Sequence, residues 1–300
     1  MSDQSAMQGA RPAYDVLTKA GIEAGVPTLG AELIRDGSNV LYRLPGRAVA
    51  RIGPAGSSDT AAHLVRVSRW LVTTDVPAVR LLDGVRQPTM VGDRPVTWWA
   101  QLPDHRNATP IELGATLQRL HALIPPDTPI LPVLDPFTGL DDTITTAPTL
   151  TDRDRTWLTN LLTRLRHEYA ELQPELPRHV IHGDAWQGNL AVPEDGIPIL
   201  VDLDHIGLGP REWDLVPLAV DHTDFARITP ADYDAFIDAY HGYDVTTWPG
   251  YRTLATIMEL RWTAFVLGKT STDPDAAKEG NHRLACLRGD IEPPWQWTAF

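Results

Sequence analysis

The chain has 300 residues, 43% of them hydrophobic and 22% charged, and a net charge of −13. That composition is enough for one large domain or two lobes with a sizeable core. The acidic balance argues against nucleic-acid binding, which needs a basic patch on phosphates, and against an anionic membrane surface. The single cysteine, Cys286, allows no internal disulfide and fits a reducing cytosol. No run of about 18 apolar residues reads as a membrane span. The opening residues lack the apolar core of a signal peptide, so the expected location is cytoplasmic.

Residues 1–11 read as a loose tail, followed by a short helix over Tyr14–Ile22. Short β-like pieces come next: Leu29–Leu33, Val40–Leu44 and Ala48–Ile52, with Asp36-Gly37-Ser38-Asn39 as a turn between them. Such a turn is an ordinary hairpin feature; in a nucleotide enzyme the same loop lies over phosphates and offers backbone N–H groups. Arg51 stands between apolar strand neighbours, either as a surface charge or as a cation for phosphates. Ala61–Val72 has helical spacing, and Val79–Leu82, Met90–Val91 and Arg94–Leu102 read as strands.

Pro103-Asp104 marks an expected boundary, giving lobes of residues 1–103 and 104–300. The second lobe reads as helical: Pro110–Ile124, then a Pro-rich irregular stretch over 125–149, then a long helix from Thr151 to Leu172. Further helices are expected from Asp214, over Ala231–Tyr240 and over Thr253–Gly268, with the aromatic ending PPWQWTAF packed down. Strands first and helices later, around a small β insert, make an α+β architecture with two unequal lobes. A cleft between lobes is the natural place for a ligand.

Val180–Asp204, reading VIHGDAWQGNLAVPEDGIPILVDLD, holds Asp184, Asn189 and Asp202 in an apolar setting. Pro198–Val201 reads as a buried strand that delivers Asp202. Phosphoryl transfer needs positioning, charge neutralisation and a carboxylate that takes the proton of the accepting hydroxyl. Asp184 suits that last role, since Ile181 and Trp186 flank it in its loop. An Asn189 amide oxygen and an Asp202 carboxylate are hard ligands suited to Mg²⁺ on a nucleotide. Taken singly, the two acids are equally turn caps and the asparagine a left-handed turn residue. A metal hydrolase built on His182 and Asp184 would lack a third clustered ligand.

His182-Gly183-Asp184 with Asn189, Val201-Asp202 and downstream Trp213-Asp214 resembles the aminoglycoside phosphotransferase/choline kinase family, relatives of the protein kinases. Leu117-x-x-Leu120-His121 resembles that family's helix after the hinge. The resemblance implies a bilobal protein-kinase-like fold with a small β-rich N-lobe and a larger helical C-lobe. It implies transfer of phosphate from ATP or GTP, with Mg²⁺, to a hydroxyl of a small molecule such as an aminoglycoside-like antibiotic or amino sugar. By the same resemblance Asp184 is the catalytic base and Asn189 and Asp202 hold the metal. Arg51, Ser38, Asn39 and the hinge Trp99, Ala100, Gln101 and Leu102 take the nucleotide, while His182 and Asp214 support the loop. Acids after the motif, Asp204, Asp221 and Glu259, with Trp186, fall where the family builds its acceptor pocket. An acidic lining suits a cationic acceptor, although these acids are equally surface charges, and Trp186 equally fills core.

The chain departs from the family at two positions. The usual strand lysine is Arg51, and the helix position of its usual glutamate partner is Leu64. Arg51 then reaches phosphate unaided, is supported by another acid such as Glu32, or binds nucleotide weakly. The last possibility motivates an alternative: a pseudokinase that binds nucleotide or ligand without transfer.

Overall fold

The computed structural model describes residues 2–173 and 176–300, with the backbone alone for residues 2–12. The chain divides into two compact units. The first comprises Met1–Ala108, Pro126–Leu131 and Gly188–Ile206, and the second Thr109–Pro125, Pro132–Gln187 and Gly207–Phe300. The first unit therefore extends past the expected boundary at residue 103 and takes in the β insert. The reason is strand pairing: β6 (His105–Asn107) lies antiparallel to β8 (Leu190–Pro193), which pairs with β9 (Ile199–Leu200).

The main sheet of this unit has the order β1-β2-β3-β5-β4 and is antiparallel throughout. Its strands are β1 (Glu32–Asp36), β2 (Val40–Leu44), β3 (Ala48–Ile52), β4 (Thr89–Val91) and β5 (Arg94–Ala100). Two-residue alternation sorts the side chains. Val40, Tyr42 and Leu44, with Ala48, Ala50 and Ile52, join Val96 and Trp98 in a core with Ala13, Leu17 and Ala20 of α1 (Ser2–Ala24). The intervening residue Arg51 points to the other face, in register with Leu41 and Thr97. There lies α2 (Ser58–Leu71), which buries Ala61, Leu64, Val67 and Leu71.

Three expectations are corrected here. The tail over residues 1–11 is helical from Ser2, where Ala6, Met7, Gln8 and Ala10 favour helix. Val79–Leu82 forms one isolated bridge, Leu81 with Trp99, and no strand, because its N–H groups divide between two neighbours: Val79 donates to Leu200 and Leu82 to Trp98. The Pro-rich stretch contains α4 (Leu140–Thr146), whose Asp- and Thr-rich sequence has weak helical propensity and whose start is set by Gly139.

The second unit is helical around a two-stranded ribbon, β7 (Arg178–Ile181) with β10 (Gly207–Pro210). Helix α3 (Pro110–His121) starts on a reciprocal Thr109–Glu112 capping box with Pro110 in its first turn. It packs on α7 (Pro230–Ala239) so closely at Gly114 that a Cβ there would meet the Phe236 carbonyl at 2.7 Å. Helix α5 (Asp152–Leu172) buries the stripe Leu158, Leu161, Leu162, Leu165 and Tyr169. In α6 (Glu212–Thr223) nine consecutive residues from Glu212 to Val220 are buried, so it is the core helix of this unit. Helices α8 (Tyr251–Leu267) and α9 (Pro274–Arg288) pack on each other. The ending packs down as expected: Trp295 and Trp297 are buried and stacked, with ring centres 5.5 Å apart. Among the described residues no helix is long and apolar enough to cross a membrane.

Candidate active site

In the helical unit, β7 is held by β10 up to the Ile181–Gly207 pair and releases the chain into the loop His182–Asp184. Gly183 has φ 82°, a left-handed turn that suits glycine. The loop is anchored by the first turn of α6. Asp214 Oδ2 accepts the His182 N–H at 2.6 Å and Oδ1 accepts the Gly183 N–H at 2.8 Å. The neighbouring Trp213 donates its indole N–H to the Gly183 carbonyl at 3.0 Å.

Asp214 is only 1% exposed. Its third contact is His121 of α3, whose Nε2 lies 3.0 Å from Oδ2 and whose Nδ1 meets the Tyr240 hydroxyl at 2.6 Å. Burial pushes the Tyr240 phenol far up, which keeps it a hydroxyl. A carboxylate oxygen accepts, so the His121 Nε2–H donates to Asp214. The sequence motif Leu120-His121 thus meets Trp213-Asp214 behind the loop.

Asp184 is half-buried at the end of this loop and Trp186 is exposed two residues on. A residue the sequence reading missed stands nearby: Arg261 of α8. It donates to the Pro136 carbonyl at 3.0 Å and lies 5.7 Å from the centre of the Trp213 ring. Burial pushes its guanidinium down, and the Asp184 and Asp135 carboxylates oppose that shift. No local spacing could have revealed it, because α8 reaches the loop only in the folded chain.

In the β-rich unit, Asn189 is buried at the end of a 3-10 turn over Gln187–Asn189, and Asp202 directly follows Val201 after β9. The Val201 N–H donates to the Asn189 carbonyl at 3.0 Å, so one hairpin brings the two residues together. Asp202 has φ 54° and ψ 59°, a left-handed conformation that costs a non-glycine residue energy and is found at functional sites.

The same unit holds a cavity of about 190 Å³ lined by Ser38, Asn39, Arg51, Ser57, Leu64, Thr97 and Asp204, among others. Arg51 makes a two-pronged ion pair with Asp204: Nη1 donates to Oδ1 at 2.7 Å and Nη2 to Oδ2. Glu32 is engaged elsewhere, with Arg43 at 3.2 Å. Asp204, expected in an acceptor pocket, thus pairs with Arg51, and the acid that supports Arg51 is not Glu32.

At the end of β5, Trp99 is buried, Ala100 donates its N–H to the Arg80 carbonyl and Gln101 donates to the Arg47 carbonyl, both within 2.9 Å. The N–H groups of those two residues are therefore engaged, and half-buried Leu102 follows them. Glu259, another acid expected in the acceptor pocket, lies on α8. It is 2% exposed and bonded to Arg252, which also holds Asp224 at 2.7 Å. Asp221 pairs with Arg227 at 3.0 Å, and burial pushes its carboxyl up. Counting acids in the sequence does not disclose these arginine partners.

A β-sheet unit with a cation on its α2 face, and a helical unit presenting an anchored aspartate loop, define a protein-kinase-like α+β fold. The chain belongs to the phosphotransferase enzyme family, whose model matches residues 32–254. Solved structures agree. The aminoglycoside phosphotransferase APH(3'')-Id from Streptomyces rimosus matches with a TM-score of 0.62 at 20% identity, over 87% of this chain and 100% of its own. A choline/ethanolamine kinase family protein from Mesorhizobium loti matches with 0.63 at 18% identity, over 94% and 96%. The amicoumacin kinase hAmiN, solved with AMP-PNP, Ca²⁺ and Ami, matches with 0.71 at 13% identity, over 99% and 98%. A search of curated proteins finds no match. At these identities the structural likeness speaks to the fold, while the family match speaks to phosphotransfer.

Proposed function

We propose that this phosphotransferase moves the γ-phosphoryl group of a purine nucleoside triphosphate to a hydroxyl of a small molecule. The observation that carries the reading is the Asp214-anchored loop that presents Asp184, followed within the same stretch by the Asn189–Asp202 hairpin. In this reading Asp184 accepts the proton of the acceptor hydroxyl as its oxygen bonds to phosphorus and the bond to the β-phosphate oxygen breaks. Asn189 and Asp202 offer one amide oxygen and one carboxylate, a hard, singly charged set that fits Mg²⁺ shared with phosphates. When bound, Mg²⁺ would neutralise charge on the phosphates. Arg51, with the Ser38-Asn39 turn on the same cavity, would hold the phosphates, and Trp99–Leu102 would border the base. His182 and Asp214 would keep the loop in place.

For the acceptor, the proposal is a hydroxylated small molecule, with aminoglycosides and amino sugars first to be tested. Support comes from relatives of like fold, one of which is solved with ADP and streptomycin. The acids first read as a cationic pocket, Asp204, Asp221 and Glu259, are held by arginines and lend that reading no support. The pseudokinase alternative rested on a missing ion pair, and Asp204 supplies the carboxylate.

The test is a phosphate-transfer assay with ATP and GTP, with and without Mg²⁺, across aminoglycosides, amino sugars and nucleosides. Mg²⁺-dependent phosphorylation that Asp184→Asn lowers by about a hundredfold or more, with unchanged melting temperature, is the expected outcome. Absence of both nucleotide binding and turnover would sink the proposal.

A further inference from the structure

We propose that Asp204 is the positioning residue for the phosphate-gripping cation, and that it ties Arg51 to the loop that carries Asp202. The inference rests on the function proposed above and adds a residue to it. Strand alternation sends Ala50 and Ile52 into the α1 core and leaves Arg51 on the α2 face of β3, lining the cavity. A long flexible side chain needs a partner to hold one rotamer there. On α2 the position that would offer a carboxylate is Leu64, which is 3% exposed on the wall of the same cavity. The acid comes instead from 153 residues further along the chain.

The two departures from the family pattern are one change. A guanidinium has five N–H donors in a plane. Asp204 takes one from each terminal nitrogen, so three remain for phosphate oxygens while the plane stays fixed. A lysine ammonium at position 51 has no such fork. The partner carboxylate is itself held: it sits in the 3-10 turn Leu203–His205 that packs against α2, where His63 faces the Ile206 carbonyl and Asp204. Because Asp204 lies two residues after Asp202, the partner of the cation and the candidate metal ligand share one short segment.

The experiment is calorimetric titration of the full chain with AMP-PNP, in Mg²⁺ and again in a metal chelator, with nucleotide KM and kcat alongside. Wild-type binding tests the function itself; if wild type binds no nucleotide, that reading fails first. Given wild-type binding, Asp204→Asn should weaken it about tenfold in both conditions, since the neutral amide no longer fixes a charged donor. The ligand-free melting temperature should hold, and KM should rise more than kcat falls. Arg51→Gln should weaken binding at least as much, and the double variant no further. Asp204→Glu should recover part of the affinity, and Arg51→Lys should lose it, which covers the case in which Asp204→Asn does not fold. Wild-type affinity in Asp204→Asn overturns the inference, as do additive losses. A loss seen only with Mg²⁺ also overturns it, because Asp204 would then be a metal ligand.

Discussion

Replacing Asp214 by alanine removes the acceptor for three donors in a site that water does not reach. Those donors are the His182 and Gly183 amides, at 2.6 and 2.8 Å, and the His121 imidazole at 3.0 Å. Leaving one buried donor unsatisfied costs about 1–3 kcal/mol. Three would sum to about 3–9 kcal/mol, but they share one carboxylate and relax together. Losing one member of a buried, bonded set costs about 3–5 kcal/mol, and we take about 4. For a chain of this size that is a fall in melting temperature of roughly 6 °C. Asp214→Asn keeps the shape and one acceptor, and should cost about half as much. Calorimetry reads the melting temperature, and amide exchange reads loop opening at His182 and Gly183 directly. Transfer should fall faster than stability, because a displacement of about 1 Å at the reacting carboxylate costs about a hundredfold. An Asp214→Ala protein that melts within about 2 °C of wild type, with both amides still protected, would refute the anchoring argument.

Two other variants probe the packing around the site. Burial and the neighbouring Asp224 carboxylate raise Glu259 well above its ordinary value. Such a group gains protons on folding, so stability falls as pH rises from the ordinary glutamate value through the raised one. Glu259→Gln keeps a donor toward Asp224 and removes the titration; its melting temperature should decline less than that of wild type between about pH 5 and 8. Parallel curves for the two proteins would contradict the assignment. Leu17 of α1 is fully buried against the sheet, and Leu17→Ala should cost about 2–5 kcal/mol in a denaturant titration; a cost below about 1 kcal/mol would mean that α1 is peripheral.

The sequence disclosed what is local. Asp184, Asn189 and Asp202 lie in one stretch whose glycines, strand and spacing are visible together, and β3 with Arg51 follows from alternation alone. Helices with capping signals and apolar stripes, such as α3 and α5, were legible for the same reason. What escaped is what folding brings from afar. Arg51 and Asp204 are 153 positions apart, and Arg261 reaches the Asp184 loop from α8. Glu259 and Asp221 looked like free acids because Arg252 and Arg227 claim them only in three dimensions. The weak helix α4, without a clear stripe, was invisible because tertiary packing and not propensity decides it.

The β-rich unit is discontinuous in sequence, and this bears on how the protein is made. Its strand β9 is bonded on one side to β8 and on the other to Pro77–Val79, and Asp204 closes on Arg51 just after it. A ribosome that has released only the first 108 residues has delivered the five-stranded sheet without those partners. The unit whose residues come out first is therefore finished late, once residue 206 has emerged and two segments of the helical unit, Thr109–Pro125 and Pro132–Gln187, have preceded it. Cutting the chain at the apparent lobe boundary would yield a sheet that carries the arginine and lacks the aspartate that aims it.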